Sequence, residues 1–256
     1  MELLALVFHK EIRSLIPCPV ANLTRMEHDM SNDIFSGKLY SILGDSISTY
    51  RGISNDKEAN VTIEYNPYFY SQPFPEEKTY WRLLENTLGM RLCVNNSWSG
   101  GNLSGEDDPS SGMNRSKNLA DNRGTVPSFI IVFMGINDLG RNVAEDIFER
   151  DYKRTLEIIK ESYPEAVTCC VNLPDRHPDF KDRTERFNSI IKSASEDFGE
   201  RSFIADLFSS KLKNDVYYMN TVDGLHPDED GARIIYEVIL DAFLSFAKRR
   251  ADIRSK

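Results

Sequence analysis

The stretch Asp223-Gly-Leu-His226-Pro227 holds a carboxylate and an imidazole separated by two residues, where Gly224 and Pro227 favour a loop. In such a loop Asp223 can accept the Nδ1 proton of His226, which leaves Nε2 free as a base. A base of this kind activates a hydroxyl, and the candidate is Ser46 in Ser41-Ile-Leu-Gly-Asp-Ser-Ile-Ser48. The chemistry would be nucleophilic catalysis by a serine. Each stretch also has a plainer use: Ser46 as a turn residue capping a helix, Asp223 and His226 as a structural pair at a helix entry. Of the four histidines, His9 and His28 fall near the N-terminus, and His177 in Pro174-Asp-Arg-His-Pro178 is the competing base.

These residues need elements that bring them together across the chain. An apolar run over 39–43 stops at Gly44, so a buried strand delivers Asp45 and Ser46 to its carboxyl end, the edge at which open α/β sheets bind ligands. A second strand over 91–94 ends in Asn95-Asn-Ser-Trp-Ser-Gly-Gly-Asn102, a small-residue loop whose backbone amides can face a ligand. The clearest buried strand, 128–134, ends at Gly135-Ile-Asn-Asp138. Further strands are expected over 166–171 and 202–205, and helices over 79–88, 144–162, 179–198 and 228–249. The last helix is the best patterned, with Asp228 as N-cap and Ile234, Ile235, Val238, Ile239, Ala242, Phe243 and Phe246 as its buried stripe. Alternating strands and helices imply a parallel five-stranded sheet with helices on both faces, an α/β fold of three layers.

Two stretches stand outside this alternation. Residues 50–78 form a long insert carrying Tyr65, Tyr68, Phe69, Tyr70 and Phe74, which reads as a binding loop or as a flap over the core. Residues 1–35, interrupted by Pro17 and Pro19, read as an N-terminal extension ahead of a domain over 36–250.

Composition narrows the partners. A net charge of -9 disfavours nucleic acid and anionic membranes, and 40% hydrophobic residues argue against disorder. No run of eighteen apolar residues spans a membrane, and Leu3 to Phe8 is short and follows Glu2 rather than a basic leader, so a cytoplasmic location is expected. The four cysteines, Cys18, Cys93, Cys169 and Cys170, lack C-x-x-C spacing, and Cys93 and Cys169 fall in expected core strands, so buried free thiols are expected. Asp223, Asp228 and Asp230 suggest a cation only superficially, because acidic residues suit a helix N-terminus in any case.

Taken together, Gly44-Asp45-Ser46, the Gly100 loop, Gly135-Ile136-Asn137-Asp138, and Asp223 with His226 resemble the SGNH, or GDSL-type, hydrolase family, in the family's order. The resemblance runs from about residue 40 to 246 and implies a flavodoxin-like strand order, 2-1-3-4-5. It implies Ser46 as nucleophile, His226 as base and Asp223 as its orienter. It also implies an oxyanion hole from the backbone amides of Ser46 and Gly100 and the side-chain amide of Asn137, without metal or cofactor. Ser97 stands where the family usually has a glycine, which leaves Gly100 and Gly101 as alternatives. The absence of G-x-S-x-G disfavours the ordinary α/β-hydrolases. The implied activity is hydrolysis of carboxylic esters through an acyl-enzyme. Sugar O-acetyl groups are the leading substrate, with Tyr68, Tyr70 and Trp98 as contacts, and lysophospholipids or thioesters the alternative. A catalytically silent binding module is the competing class.

Overall fold

The computed structural model describes residues 34–50, 75–174, 180–209 and 220–254. The sheet begins with β1, Leu39–Gly44, and continues with β2 (Arg91–Ser97), β3 (Phe129–Phe133), β4 (Val167–Val171) and β5 (Ser202–Ala205). The five strands lie in the order β2-β1-β3-β4-β5, every pairing parallel. This is the flavodoxin-like order. All five residues of β3 are buried, as expected of a strand with helices on both faces.

The helices are α1 (Tyr80–Leu88), α2 (Gly112–Arg115), α3 (Ile136–Gly140), α4 (Glu145–Ser162), α5 (Lys181–Phe198) and α6 (Glu229–Arg254). Packing of α1 against α6, and of α4 against α5, supplies the layers that cover the sheet. Local sequence sets the boundaries of α1: the Thr79 hydroxyl accepts from the Arg82 N–H, and Gly89 stops the helix at φ 65°. For α6, Asp228 Oδ1 accepts from the Gly231 N–H at 2.8 Å, the expected cap. Its expected stripe is buried except for Ala242, which packs partly buried against the core. The helix runs on to Arg254 because no glycine or proline follows Arg249 to stop it.

Register matters more to function than helix length. Gly44 pairs with Ser97 on one side and Phe133 on the other. The loops that follow β1, β2 and β3 therefore leave the sheet side by side, at the point where the chain switches from one side of β1 to the other.

Two expectations need revision, and one element was not expected. The second strand extends through Ser97 instead of stopping at Val94, because the Asn95 side chain donates to Ser48 O (2.8 Å) and Asn96 to Asn118 O (2.9 Å). Cys169 and Cys170 are buried, but Cys93 is half-exposed on the edge strand, with its thiol donating to Thr125 O at 3.4 Å. The short helix α3, directly after β3, had no periodicity to announce it. The proposed extension over 1–35 lies outside the described residues except for its last two, and Phe35 packs on Phe129 and Phe243 with ring centroids 5.3 and 5.5 Å away. Among the described residues, no helix is long and apolar enough to cross a membrane.

Candidate active site

Ser46 is half-buried in the turn that ends β1. Asp45, beneath it, shapes that turn: its Oδ1 accepts from Ile47 N (3.0 Å) and its carbonyl from Ser48 N (3.0 Å). Gly44 has to be glycine, because a Cβ there would come within 2.5 Å of Ser97 Oγ and 2.6 Å of Ser48 Cβ.

The candidate base, His226, arrives from the loop before α6. Gly224, at φ 82°, folds the loop back, and Thr221 bridges to Pro227. Asp223 Oδ1 accepts from Leu225 N (3.0 Å) and His226 N (2.8 Å), which leaves Oδ2 for the ring. His226 Nδ1 lies 2.8 Å from Asp223 Oδ2, and Nε2 lies 2.8 Å from Ser46 Oγ. Partial burial works to raise the Asp223 pKa, but the bonds from His226 outweigh it and hold the carboxyl well below its ordinary range. Asp223 therefore stays a carboxylate across neutral pH. A serine in this setting can lose its proton to the imidazole as its oxygen attacks.

Two further loops meet this centre. Gly135, at φ 122°, turns the chain from β3 into α3, and a Cβ there would come within 2.9 Å of the Phe148 ring. The next turn presents Asn137, whose Nδ2 donates to Gly101 O at 3.0 Å. Asp138 is buried and accepts from Leu103 N (2.7 Å) and Ser104 N (2.9 Å), tying α3 to the loop after β2. In that loop Gly101 N donates to Trp98 O at 3.1 Å, whereas among the described residues the N–H groups of Gly100 and Ser46 have no acceptor. Gly100 O accepts from Arg141 at 2.6 Å.

The expected residues Ser46, Asp223 and His226 are thus brought into contact, with Asn137 bonded to the Gly100–Gly101 loop. Trp98 lies half-buried in the same loop, its backbone N–H donating to Gly44 O at 3.2 Å. Tyr68, Tyr70 and the competing His177 lie outside the described residues. Among the described residues, no three His, Cys, Asp or Glu side chains gather as metal ligands. Asp228 caps α6 and Asp230 pairs with Arg233 at 3.2 Å. Sequence reasoning named Asp45 and Asp138 within their motifs without giving them a role, and passed over Arg115 and Arg141. Asp45 and Asp138 each carried a sign, standing directly beside Ser46 and Asn137.

The profile of the GDSL-like lipase/acylhydrolase family matches residues 42–234. The chain belongs to this family. It is accordingly a carboxylic ester hydrolase. Solved GDSL-type and esterase structures share the fold at low identity. A candidate GDSL-like lipase from Bacteroides ovatus is 22% identical, with a TM-score of 0.57, over 80% of this chain and 96% of its own. A carbohydrate esterase family 2 enzyme with a carbohydrate-binding domain, from Corynascus thermopiles, is 18% identical with a TM-score of 0.58, over 83% of this chain and 67% of its own. The esterase EstA from Pseudoalteromonas sp., solved inhibited by monoethylphosphonate, is 18% identical with a TM-score of 0.54, over 82% of this chain and 99% of its own. No curated protein matches this GDSL-family hydrolase in sequence.

Proposed function

We propose that this hydrolase is a serine esterase that cleaves its substrate through an acyl-enzyme, with Ser46 as nucleophile, His226 as general base and Asp223 as its orienter. The observation that carries this reading is the continuous chain from Asp223 Oδ2 through the His226 ring to Ser46 Oγ, each step 2.8 Å. Ser46 Oγ attacks the ester carbonyl while its proton passes to His226 Nε2, and the carbonyl π electrons move onto oxygen. The oxyanion is met by the free N–H groups of Ser46 and Gly100 and by the Asn137 amide. Gly100 is preferred over Gly101 because the Gly101 N–H is already given to Trp98 O. Collapse expels the alcohol, which takes the proton from His226. Water, deprotonated by the same imidazole, then releases the carboxylic acid and restores Ser46.

For the substrate we propose O-acetyl groups on a carbohydrate. Two things support this choice: aromatic residues of the sort that stack on sugar rings, Tyr68 and Tyr70 in the insert and Trp98 beside Gly100, and the likeness to a carbohydrate esterase.

The test uses a fluorophosphonate, an organophosphorus reagent akin to the one that inhibits EstA. It should label the wild-type chain at Ser46 and leave Ser46→Ala unlabelled. Ser46→Ala and His226→Ala should each nearly abolish hydrolysis of p-nitrophenyl acetate, and the double variant should lose little more, because the residues act as a unit. A His177→Ala loss larger than that of His226→Ala would move the base. Across a series of p-nitrophenyl esters and acetylated oligosaccharides, rates should favour acetate and the oligosaccharides. A preference for long acyl chains would point instead to lysophospholipids or thioesters.

A further inference from the structure

Arg115, the last residue of α2, is only 3% exposed. A guanidinium taken out of water must have its donors satisfied, and here they are spent on backbone carbonyls of three separate segments. Nε donates to Ser110 O at 2.8 Å, one terminal nitrogen to Gly44 O at 3.0 Å, and the other to Asn96 O. Gly44 stands two residues before Ser46 at the end of β1. Asn96 is the penultimate residue of β2, four residues before Gly100. The same guanidinium lies under the oxyanion loop, since a Cβ on Gly101 would come within 3.3 Å of its terminal nitrogen. One planar group thus spans the ends of the two strands that supply the backbone donors for the oxyanion.

We propose that Arg115 is a positioning residue that holds the Ser46 and Gly100 N–H groups aimed at a common point, and so preorganises the oxyanion hole. This inference rests on the catalytic reading given above. The sheet ladder cannot perform the task alone, because its pairing ends at Gly44 and Ser97, before either donor. Ser46 and Gly100 lie in loops beyond it, and their separation depends on what ties those loops together. Asn137 and Asp138 tie the far side of the loop to α3, at Gly101 O, Leu103 N and Ser104 N. Arg115 ties its near side to β1.

The closing experiment uses the full chain with Arg115→Lys, which keeps the charge but loses the planar fork, and Arg115→Ala with and without millimolar guanidinium ion. The readouts are kcat and KM on p-nitrophenyl acetate, the rate of phosphonate labelling of Ser46, and the melting temperature, with kcat taken per folded molecule from circular dichroism. For Arg115→Lys we expect kcat to fall about ten- to a hundredfold, the scale of a small misplacement of reacting groups, with KM changed less than about twofold. Labelling should slow in parallel, because the phosphonyl oxygen uses the same donors. Guanidinium should restore part of the Arg115→Ala rate. The inference is overturned if Arg115→Lys lowers only the melting temperature, with kcat per folded molecule and labelling rate at wild-type values, or if the loss appears in KM alone. Ser46→Ala run beside it separates the two readings. Full activity in Ser46→Ala would remove the catalytic assignment itself, whereas an inactive Ser46→Ala with normal Arg115→Lys would remove only the role given to Arg115.

Discussion

Asn137 carries two amide hydrogens, and the fold uses one of them on Gly101 O at 3.0 Å. The other has no acceptor among the described residues. If the free hydrogen serves the oxyanion, Asn137→Ala should cut kcat by roughly a hundred- to a thousandfold while KM changes little. If the side chain serves only the loop, melting temperature should fall and the folded fraction should keep near-normal kcat. Circular dichroism melts beside steady-state kinetics separate these outcomes. Ser46, Asn137, Asp223 and His226 were legible because each follows or precedes a glycine or proline that breaks an element, so its place at a strand end or helix entry can be read locally. Arg115 gave no such sign. It sits in a polar stretch where arginine ordinarily means a solvated surface, and its burial depends on carbonyls such as that of Gly44, 71 residues upstream.

Elements impose their own demand on the turn that carries Ser46. At the end of β1, Gly44 is wedged between Ser97 and Ser48, and neither neighbour moves freely. Ser97 Oγ donates to Asn95 Oδ1 at 2.6 Å, and Ser48 Oγ shares a hydrogen bond with Tyr80 OH at 2.7 Å. Gly44→Ala should therefore destabilise by about 1–3 kcal/mol, the usual cost of forcing an extra methyl group into a filled space. It should lower activity at the same time, because Ser46 follows two residues on. A thermal melt and a turnover assay check this, and a wild-type melting temperature would show that the two serines can give way. Most strands were legible because sheet layers bury both faces and leave uninterrupted apolar runs. The far end of β2 was not, because its buried residues are asparagines satisfied by loops distant in sequence. Cys93 was misplaced for a related reason: its run resembled a core strand, but β2 lies at the sheet edge, and strand order is not written into any single strand.

At the scale of the whole molecule, Asp45 is a buried carboxyl whose energy depends on pH. Burial raises its pKa from 3.8 to about 7, against the lowering influence of the Ile47 N–H, His226 and Arg115, while Asp138 raises it further. Between about pH 4 and 7 the folded state holds a proton that the unfolded chain has released, so this group makes the fold less stable as pH rises through that window and adds no further change above it. Asp223 acts in the opposite sense, because its depressed pKa confers stability that is lost only as pH falls below the ordinary carboxylate range. Asp45→Asn keeps an acceptor for Ile47 N and removes the titration. Urea midpoints from about pH 4.5 to 7.5 should show the variant gaining on wild type as pH rises, and parallel curves would show that Asp45 does not titrate in this range.

Ser46 and His226 are 180 residues apart, and Phe35 at the start of the described fold leans on Phe243 in its last helix. Closing so long a loop carries an entropic cost that the contacts of α6 must offset before the imidazole can settle against the serine. During synthesis Ser46 precedes His226 by those 180 residues. On the reading proposed above, a growing chain carries the serine through that whole stretch without the imidazole that would activate it. The proposed triad is therefore complete only once the loop before α6 has been made and seated against the end of β1.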